Sequence, residues 1–559
     1  MKHVNAARTI DPRELARERL ARERGAAAKE HGGRLRVALA YPNSYQVGMS
    51  NLGFQTVYHL FNRREDVVCE RVFLPSPREA AWLERHRKPL ASLESATSLR
   101  EFDAIAFSIT FEHDYVNALA MLRQGGVDVH ARPGARPLML AGGLCPTLNP
   151  EAMAMFFDAL LIGEAEGIVD PLLDALISGG CADPLRLSGL PGAYVTKGDN
   201  RRVTRVWAPG AFGHTRIYTP DTVFGDMWLV ETGKGCGQHC RFCAAGYAYR
   251  PTRHAPIEWL ESKIDEGLRQ VGKVGLVGSA VADHPDFERM LEHIARAGGR
   301  AGVSSLRLDR FTPRLVELLH KVGEATVTVA PEAGAEPLRL RINKDLRDEQ
   351  IYEAARTVFR AAPSTCKMYF LVGLPGETDD DARAIVEMVK NIQRIMVDER
   401  RPTGEAGRIS VSVNGFVPKP FTPFERMPFA GVKTLSARLR AVTEGLKSVP
   451  NVTVAAGSPR QDYAQAVMSV GGREIGPLIE AASLSGWAAA LRETTLDLSF
   501  VERGRAPGEP LPWGRVDWGM AAGYLEKEGG RFERGKGTPP CPPPGSGCMR
   551  CGLFPGVCS

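Results

Sequence analysis

The amino-acid sequence predicts an α/β fold: a doubly wound, Rossmann-like domain followed by an α/β barrel. Two observations predict this order. Short apolar runs of strand character alternate with amphipathic helical segments over residues 34–195, as in a parallel sheet with helices on both faces. The same alternation resumes near residue 226 and supplies six further strand segments, which favours a barrel. A mainly helical C-terminal region and a cysteine-rich tail complete the chain.

Composition narrows the class of protein. The 559 residues provide material for several domains, and 71 basic against 65 acidic residues leave a net charge of +6, too small by itself to indicate nucleic acid. No apolar run reaches the ~18 residues that cross a bilayer, and the N-terminal segment lacks an apolar signal core. We therefore expect a soluble, cytoplasmic protein with no membrane partner.

The first predicted domain has strands at 34–42, 67–75, 102–111 and 136–147, with a short fifth strand after residue 158. Ligands of such sheets bind at the carboxyl ends of the strands, where the loops of this chain are rich in Gly, Ser, Thr and Asn. A large ligand fits this pattern, and so does a glycine-rich sheet without one.

The predicted barrel follows a connector without clear periodicity. Its strands are expected at 226–236, 273–279, 301–308, 324–334, 366–378 and 408–420. The predicted segments of the chain are, in order, a charged helical lead-in (1–33), the doubly wound domain (34–195), a linker (196–225), the barrel (226–430), a helical region (431–535) and the cysteine-rich tail (536–559).

Seven of the eleven cysteines fall into two clusters, which in a large chain indicates metal binding rather than disulfides. The first cluster, Cys236, Cys240 and Cys243, is spaced C-x3-C-x2-C directly after the first barrel strand. Thiolates bind zinc, copper(I) or iron–sulfur clusters. Zinc would need a fourth ligand, for which His239 and His254 are available. A 4Fe–4S cluster on three cysteines leaves one iron open for a small molecule, and it fits the spacing better than the paired C-x2-C motifs of zinc sites.

The cysteine spacing, with Phe242 before the last cysteine, resembles the signature of the radical S-adenosylmethionine (SAM) superfamily. Segments 329–346, 369–381 and 413–424 are similar to late-barrel segments of that superfamily, in particular its YgiQ-like and methylthiotransferase-like branch. The resemblance implies an enzyme in which Cys236, Cys240 and Cys243 hold a 4Fe–4S cluster. It also implies reductive cleavage of SAM to a 5′-deoxyadenosyl radical, with a one-electron reductant such as flavodoxin or ferredoxin as partner.

Three residues at strand ends are candidates for binding SAM in such a barrel: Ser304, Arg307 and Glu332. A glutamate at a strand end is as often a cap or an ion-pair partner. The short Gly-Gly-Glu element that many members use for the SAM amino group is not evident, because "LVGSAVADHP" stands in its place.

The first domain resembles the cobalamin-binding subgroup, because "AGGLCPTLNPE" and "LIGEAEG" are similar to that subgroup's recurrent pattern. The resemblance implies a cobalamin-binding-type domain.

A D-x-H-x-x-G loop is missing after the first strand, so cobalamin would bind without a protein histidine, or the pocket has lost it. His113 is expected to be structural. From about residue 35 the chain resembles an uncharacterised family of cobalamin-domain radical SAM proteins. The implied cobalamin contacts are Gly142, Gly143, Thr147, Gly163 and Glu164.

The tail carries Cys541, Cys548, Cys551 and Cys558, spaced C-x6-C-x2-C-x6-C. Four soft ligands in a segment without core-forming residues predict a closed site, with zinc as the first expectation and a second iron–sulfur cluster as the next. A disordered tail with free thiols is the remaining interpretation.

Three functions are compatible with these features. The first is cobalamin-dependent methyl transfer to an unactivated carbon. The second is cobalamin-free radical SAM modification of RNA or ribosomal components. The third is a metal-stabilised binding factor without catalysis. The sequence predicts neither a substrate nor a catalytic residue.

Overall fold

The computed structural model describes residues 9–27, 29–130, 137–361, 365–542 and 551–553. The chain forms two units, each assembled from separate stretches of sequence. The first unit contains the residues through Asp226, Gly471–Leu496 and Pro510–Trp518; the second contains Met227–Val470, Asp497–Glu509 and the residues from Gly519 onwards. The helices expected at 431–535 are thus divided between the two units.

The first unit is built on a six-stranded sheet in which five neighbouring strands are parallel and the sixth is antiparallel at the edge. Its strands are β1 (Leu35–Tyr41), β2 (Val67–Phe73), β3 (Ala104–Ser108), β4 (Leu138–Gly142), β5 (Ala159–Leu161) and β6 (Ala193–Val195). Their spatial order is β2-β1-β3-β4-β5-β6. In this order the chain reverses direction across the sheet between β1 and β3, and ligands of such sheets bind in the crevice at that point. The α/β fold with parallel strands is confirmed.

Strand β2 shows how a fully buried strand accommodates charge. All seven of its residues are buried, although Glu70 and Arg71 are among them. Arg71 makes ion pairs with Glu23 at 2.6 Å and with Glu94 at 2.7 Å. A buried charge is tolerated only when it is paired and hydrogen-bonded, so these partners anchor the N-terminal segment to the sheet.

Helices cover this sheet, and the C-terminal stretches add to the layer. Asn149 donates a hydrogen bond to the carbonyl of Gly471 at 2.7 Å, and Arg123 donates to Ser483 Oγ. The helices through Asp226 are α1 (Pro12–Arg22), α2 (Tyr45–Met49), α3 (Leu52–Asn62), α4 (Pro77–His86), α5 (Asp114–Gln124), α6 (Leu144–Leu148) and α7 (Val169–Ala175), and a short strand β7 (Val203–Thr204) precedes the boundary.

The second unit contains two four-stranded sheets that are joined by a bridge between Leu306 and Val329. Their strands are β8 (Trp228–Lys234), β9 (Arg253–His254), β10 (Lys273–Gly278), β11 (Arg300–Val303), β12 (Thr326–Glu332), β13 (Thr365–Val372), β14 (Arg408–Gly415) and β15 (Val452–Ala456). The orders are β11-β10-β8-β9 and β12-β13-β14-β15, parallel apart from the β8–β9 pair. Seven parallel strands with helices between them form a barrel-type arrangement.

Side chains alternate between the two faces of these strands. In β13, Met368 and Phe370 are buried, whereas Lys367 and Tyr369 are exposed on the opposite face. The buried row explains the apolar periodicity of the sequence. The second unit contributes helices α8 (Ala244–Ala248), α9 (Ile257–Val271), α10 (Phe287–Arg296), α11 (Pro313–Lys321), α12 (Glu336–Arg341), α13 (Asp348–Arg360), α14 (Asp379–Arg400), α15 (Val432–Leu446) and α16 (Pro459–Val470).

The remaining elements belong alternately to the first and the second unit as the chain proceeds. They are α17 (Gly476–Ser485), α18 (Trp487–Glu493), α19 (Ser499–Arg503), strand β16 (Val516–Asp517) and α20 (Tyr524–Glu533). Strand β16 pairs with β7 in the first unit, and α20 belongs to the second. Among the residues described, no helix combines the length and the apolar character that a membrane span requires.

Candidate cofactor site at the cysteine loop

The segment between β8 and α8, which we call the cysteine loop (Gly235–Cys243), carries three cysteines. It turns sharply at its first residue, because Gly235 has φ +78° and an added Cβ would lie 2.4 Å from the carbonyl oxygen of Tyr249. At its other end, Cys243 Sγ accepts a hydrogen bond from the backbone N–H of Gly246 at 3.4 Å and so begins α8. The parallel strand therefore delivers the thiols at its carboxyl end.

The three thiols share one electrostatic environment. Burial raises the pKa of Cys236 to about 12 and that of Cys243 to about 11, and the neighbouring thiols add to both shifts. Burial also raises the pKa of Cys240, but the cations Lys344, Arg307 and Arg250 oppose this shift. A metal-bound cysteine is deprotonated, and these cations favour the thiolate form at Cys240.

The donor set fits an iron–sulfur cluster: three soft thiolates on one loop with cations nearby. Each cysteine of a four-iron cluster binds a different iron, so its thiols do not converge on one point. In the part of the chain that the structure describes, no three His, Cys, Asp or Glu side chains are placed to hold a single metal ion.

Two buried arginines hold the cysteine loop in shape by donating to main-chain carbonyls. Arg250 donates to Gly246 O at 2.7 Å and to Gln238 O at 2.8 Å. Arg241 donates to Lys536 O at 2.7 Å and is fully buried. These contacts satisfy polar backbone groups that would otherwise be buried without partners, which costs stability.

The predicted SAM residues Arg307 and Glu332 lie within electrostatic reach of Cys240. Glu332 ends β12 in the left-handed region with φ +71°, a conformation that is uncommon for a residue with a Cβ and that clusters at functional sites. Its Oε1 accepts a hydrogen bond from Lys344 Nζ at 3.1 Å. Arg307 forms two hydrogen bonds with Asp309, at 3.0 and 2.8 Å.

Lys344 is a residue of this site that the sequence analysis missed. Burial disfavours its charge, yet the carboxylate of Glu332 and the thiol of Cys240 keep its pKa above the ordinary value. It is therefore a buried cation beside the cysteines. The sequence did contain a signal for Lys344. It lies twelve residues after Glu332, within the segment 329–346 that resembles a late-barrel segment of the superfamily.

Ser304 follows β11, at the carboxyl end of a strand two places from β8 in the sheet. Its buried hydroxyl has no hydrogen-bond partner among the described residues, and the same holds for Thr252 Oγ1 and Tyr247 OH. Hydroxyls, a buried lysine and a glutamate are the kinds of group that could hold SAM, which is methionine joined through its sulfur to adenosine. The "LVGSAVADHP" segment reaches the cysteine loop through Asp283, which accepts from Gln238 Nε2 at 3.1 Å.

In the first unit, the predicted cobalamin contacts make internal contacts. Thr147 Oγ1 accepts from the backbone N–H of Gly163 at 3.1 Å, and a carboxylate oxygen of Glu164 accepts from Ala208 N at 3.1 Å. Added Cβ atoms at Gly143 and Gly163 would lie 2.5 and 2.3 Å from backbone oxygens, whereas Gly142 has ordinary space. Close packing against backbone oxygens thus explains why glycine is needed at Gly143 and Gly163.

The crevice where β1 and β3 end presents other polar groups, which the sequence analysis did not select. Tyr41 OH and Thr110 Oγ1 are 3.2 Å apart, and Asn43 donates to Asp114 Oδ1 at 3.0 Å. Burial raises the pKa of Asp114 to about 6. Phe111 is exposed beside His113. The strand order would have indicated this crevice, since it lies where the order reverses.

The tail cysteines are described in part. Cys541 Sγ lies 3.4 Å from His239 Nε2 in the cysteine loop, and Cys551 packs with Tyr247, Tyr524 and Leu553. The predicted ligands Cys548 and Cys558 lie outside the described residues.

Comparison with protein families finds two matches. Residues 53–184 match the N-terminal region of radical SAM proteins, and residues 230–389 match the radical SAM superfamily. The second match contains the cysteine loop, Ser304, Arg307, Glu332 and Lys344.

Individual relatives are similar over different extents. An uncharacterised protein of Methanocaldococcus jannaschii, MJ0966, is 29% identical over 395 residues, 70% of this chain and 79% of its own length. A tRNA-2-methylthio-N(6)-dimethylallyladenosine synthase of Acidovorax sp. is 22% identical over 190 residues, 31% of this chain and 42% of its own. Among solved structures, the radical SAM methyltransferase TsrM of Kitasatospora setae gives a TM-score of 0.48 at 15% identity, covering 72% of this chain and 76% of TsrM.

Proposed function

We propose, from the premise that this chain is a radical SAM enzyme, that it transfers a methyl group from cobalamin to an unactivated carbon of its substrate. The observation that carries the radical part is the cysteine loop, with three thiols at the end of β8 beside the Glu332–Lys344 pair. The methyl-transfer part rests on the parallel sheet of the first unit and its crevice.

With one electron from an external reductant, a bound cluster would cleave SAM to methionine and a 5′-deoxyadenosyl radical, which would supply the chemistry for taking a hydrogen atom from the substrate. We assign Cys236, Cys240 and Cys243 as the cluster ligands. Lys344 and Arg307 present positive charge that suits the SAM carboxylate, Glu332 accepts hydrogen bonds from ribose hydroxyls or the amino group, and the free hydroxyl of Ser304 offers a further contact.

Burial at this site also affects the chemistry that the site can support. Tyr247 and Arg250, which interact electrostatically with Cys240, are both almost completely buried. Excluding water strengthens the ion pair of Glu332 with Lys344 and protects reactive species from solvent.

For cobalamin, which would supply the methyl group, we assign the carboxyl ends of the first-unit strands. The rim of cobalamin carries many amide groups, which suit hydrogen-bonding side chains such as those of Tyr41, Asn43 and Thr110. These three side chains lie at the point where the strand order reverses. The backbone around Gly142, Gly143, Thr147, Gly163 and Glu164 then shapes the neighbouring loops.

The decisive experiment uses anaerobically reconstituted protein with dithionite, SAM and a count of iron and sulfide. We expect about four irons at the cysteine loop and release of 5′-deoxyadenosine, with corrinoid absorbance bands in the purified protein. Cys240→Ala should abolish both iron binding at the loop and the product. Cys181→Ala, which alters a buried thiol of the first unit, is the matched control.

Two results would contradict the proposal in different ways. Intact iron without 5′-deoxyadenosine would exclude the radical chemistry. Product without corrinoid bands, after growth and reconstitution with cobalamin, would exclude only the methyl-transfer step.

The second candidate is modification of RNA without cobalamin. The similarity over 190 residues to an enzyme named for a tRNA product favours it. The exposed row of β13, with Lys367 and Tyr369, offers a charge and an aromatic face, which nucleic-acid sites use. Co-purification of RNA, lost on Lys367→Glu, together with absent corrinoid bands, would select this function.

A further inference from the structure

Helix α20 places one of its faces against the cysteine loop. Three of its residues at intervals of four are buried: Tyr524, Glu528 and Phe532. The hydroxyl of Tyr524 lies 3.0 Å from His239 Nδ1, and Glu528 forms an ion pair with Arg241 at 3.5 Å. His239 and Arg241 are the two neighbours of Cys240 in sequence. The buried face of α20 therefore contacts both residues that flank a predicted cluster ligand.

The charged residues of α20 are separated by sign on the two sides of this buried face. Successive residues of an α-helix are rotated by about 100° around its axis. Lys527, Arg531 and Arg534 therefore lie on one side of the buried face, and Glu526 and Glu533 lie on the other. Lys527 and Arg534 are exposed, and Arg531 is half-buried. The helix thus presents a row of cations along one side.

Interactions within the helix do not account for this row. Lys527 and Arg534 have no ion-pair partner in the part of the chain that the structure describes, whereas Arg531 is 3.8 Å from Glu528. Like charges four residues apart destabilise a helix, as with Lys527 and Arg531. The helix dipole favours the two arginines in the last turns but disfavours Lys527 in the first turn. A partner with negative charge would offset this repulsion.

Lys536 extends the row beyond the end of the helix. Its side chain is exposed, and its backbone N–H donates to Arg531 O at 2.8 Å. Its carbonyl oxygen accepts a hydrogen bond from the buried Arg241 at 2.7 Å. One hydrogen bond and one peptide bond thus connect this exposed position with Cys240. We call the four cations Lys527, Arg531, Arg534 and Lys536 the α20 patch.

The chemistry of the α20 patch suits a protein that carries electrons. The proposed function needs one electron from an external reductant, and that electron has to reach the cysteine loop from the surface. Redox partners form small, transient interfaces of less than about 1,200 Å², and they depend on complementary charge to steer their encounter. Single-stranded RNA is also anionic, but its sites add exposed aromatic side chains. The aromatic residues of α20, Tyr524 and Phe532, are buried.

We propose that the α20 patch is the docking surface for an acidic one-electron carrier protein of the flavodoxin or ferredoxin type. The inference rests on the proposed function, because the carrier reduces the cluster that the cysteine loop would hold. In this step one electron leaves the carrier and enters the cluster, and no bond forms or breaks. The patch contributes binding and orientation, and the contacts of Arg241 with Lys536 and Glu528 hold it beside Cys240.

A binding titration tests the surface without relying on SAM cleavage. Oxidised flavodoxin, and ferredoxin in a second series, is titrated into the reconstituted holoprotein. The dissociation constant should rise at least tenfold between about 0.01 and 0.1 M salt, because the Debye length falls from about 30 to 10 Å over this range. Absence of binding of both carriers at the lower salt concentration would overturn the proposal.

Charge-reversal variants then locate the surface. The double variant Lys527→Glu/Arg534→Glu should raise the dissociation constant for the carrier at least tenfold at low salt, and Lys536→Glu should raise it several-fold. The matched control is Lys433→Glu/Arg440→Glu, which reverses two exposed cations that are also seven residues apart, on α15. The control should bind as the wild type does. Equal weakening in the control would reduce the effect to net charge and refute the assigned surface.

Cluster reduction provides the second measurement. Reduced flavodoxin should reduce the cluster of Lys527→Glu/Arg534→Glu at least tenfold more slowly than that of the wild type, as followed by absorbance and by electron paramagnetic resonance. Dithionite, a small molecule, needs no docking surface, so excess dithionite should reduce the wild type and the variant to the same extent. An unchanged rate with flavodoxin would refute the proposal, and so would an equal loss with both reductants.

The two proposals fail in distinguishable ways. If dithionite and SAM yield no 5′-deoxyadenosine, the proposed function fails, while the dissociation constants still report whether the carrier docks at α20. If 5′-deoxyadenosine forms with dithionite but the double variant binds the carrier normally, only the docking surface is wrong. Single-stranded RNA that binds the wild type more tightly than either carrier, and is lost in the same variant, would assign the α20 patch to RNA instead.

Discussion

At the scale of single residues, the site depends on charges that are buried together. Lys344 is a cation because Glu332 and Cys240 outweigh the effect of burial on its pKa. Glu332 in turn adopts a backbone conformation with φ +71° that costs energy unless its surroundings impose it. The two side chains form an ion pair, and their opposite charges would suit the ligand of the proposed function, which carries charge of both signs.

Replacing Lys344 by methionine should raise the dissociation constant for SAM about 10- to 100-fold. One charge-assisted hydrogen bond contributes about 1.5–3 kcal/mol, and the substitution leaves Glu332 without its counter-ion. Isothermal titration with the reconstituted protein measures the change. Lys344→Arg retains the charge and should bind SAM more tightly than the methionine variant. Equal affinity of the wild type and Lys344→Met would remove the lysine from the binding site.

Asp114 predicts a pH dependence in the first unit. Burial raises its pKa from 3.8 to about 6, so the folded state holds its proton more tightly than the unfolded state. Stability from this group is present below pH 3.8 and is lost as the pH rises through 6. Asp114→Asn should therefore match the wild type near pH 4 and exceed it by about 2 kcal/mol at pH 8.

Chemical denaturation at several pH values checks this prediction. Asp66→Asn serves as the control, because the hydrogen bond from Arg64 lowers the pKa of that exposed carboxylate, so it does not titrate between pH 4 and pH 8. A difference between Asp114→Asn and the wild type that stays constant from pH 4 to pH 8 would show that Asp114 does not titrate in this range.

At the scale of elements, the conformations of the loops at strand ends depend on the close approach of two backbone segments. The cysteine loop can turn only because Gly235 lacks a side chain where the chain passes Tyr249. In the first unit the same reason accounts for Gly143 and Gly163. Both glycines were predicted to contact cobalamin, but their close packing against backbone oxygens requires glycine by itself. Whether they also contact a ligand remains a prediction.

Gly235→Ala should abolish iron binding at the cysteine loop, because a Cβ would lie 2.4 Å from a carbonyl oxygen and φ is +78°. Gly272→Ala is the matched control: it has φ +69° at the end of α9 but open space around the added atom. The control should lose about 1 kcal/mol of stability and retain its iron. Iron content and thermal unfolding measure both effects, and full iron loading of Gly235→Ala would contradict the argument.

At the scale of the whole molecule, neither unit is one continuous piece of sequence. The first unit needs residues 471–496 and 510–518 as well as the first 226. These returning stretches supply the partners of Arg123 and Asn149 and the strand that pairs with β7. The predicted boundaries treated the helical region at 431–535 as one segment, and this interleaving is not visible in local patterns.

A fragment ending at residue 226 should therefore be unstable, although it contains the complete six-stranded sheet. It lacks the carbonyl of Gly471 that Asn149 contacts, and it exposes the surface against which Trp518 packs with Arg205. Circular dichroism should show a melting temperature at least 10 °C lower than that of the full chain, as expected for a loss of several kcal/mol. Adding a peptide of residues 471–518 should restore part of the difference, and a fully stable fragment would contradict the prediction.

The sequence by itself determined the α/β class, most of the parallel strands and the resemblance to the radical SAM superfamily, whereas β15 lies in the region that was predicted to be helical. These depend on local information: apolar periodicity, and three cysteines whose spacing within eight residues survives any tertiary arrangement. Tertiary structure alone decided which distant side chains meet, as with Lys344 beside Cys240 and Cys541 beside His239. Such pairs are formed by backbone approach and buried hydrogen bonds between segments far apart in the chain, and no local pattern encodes them.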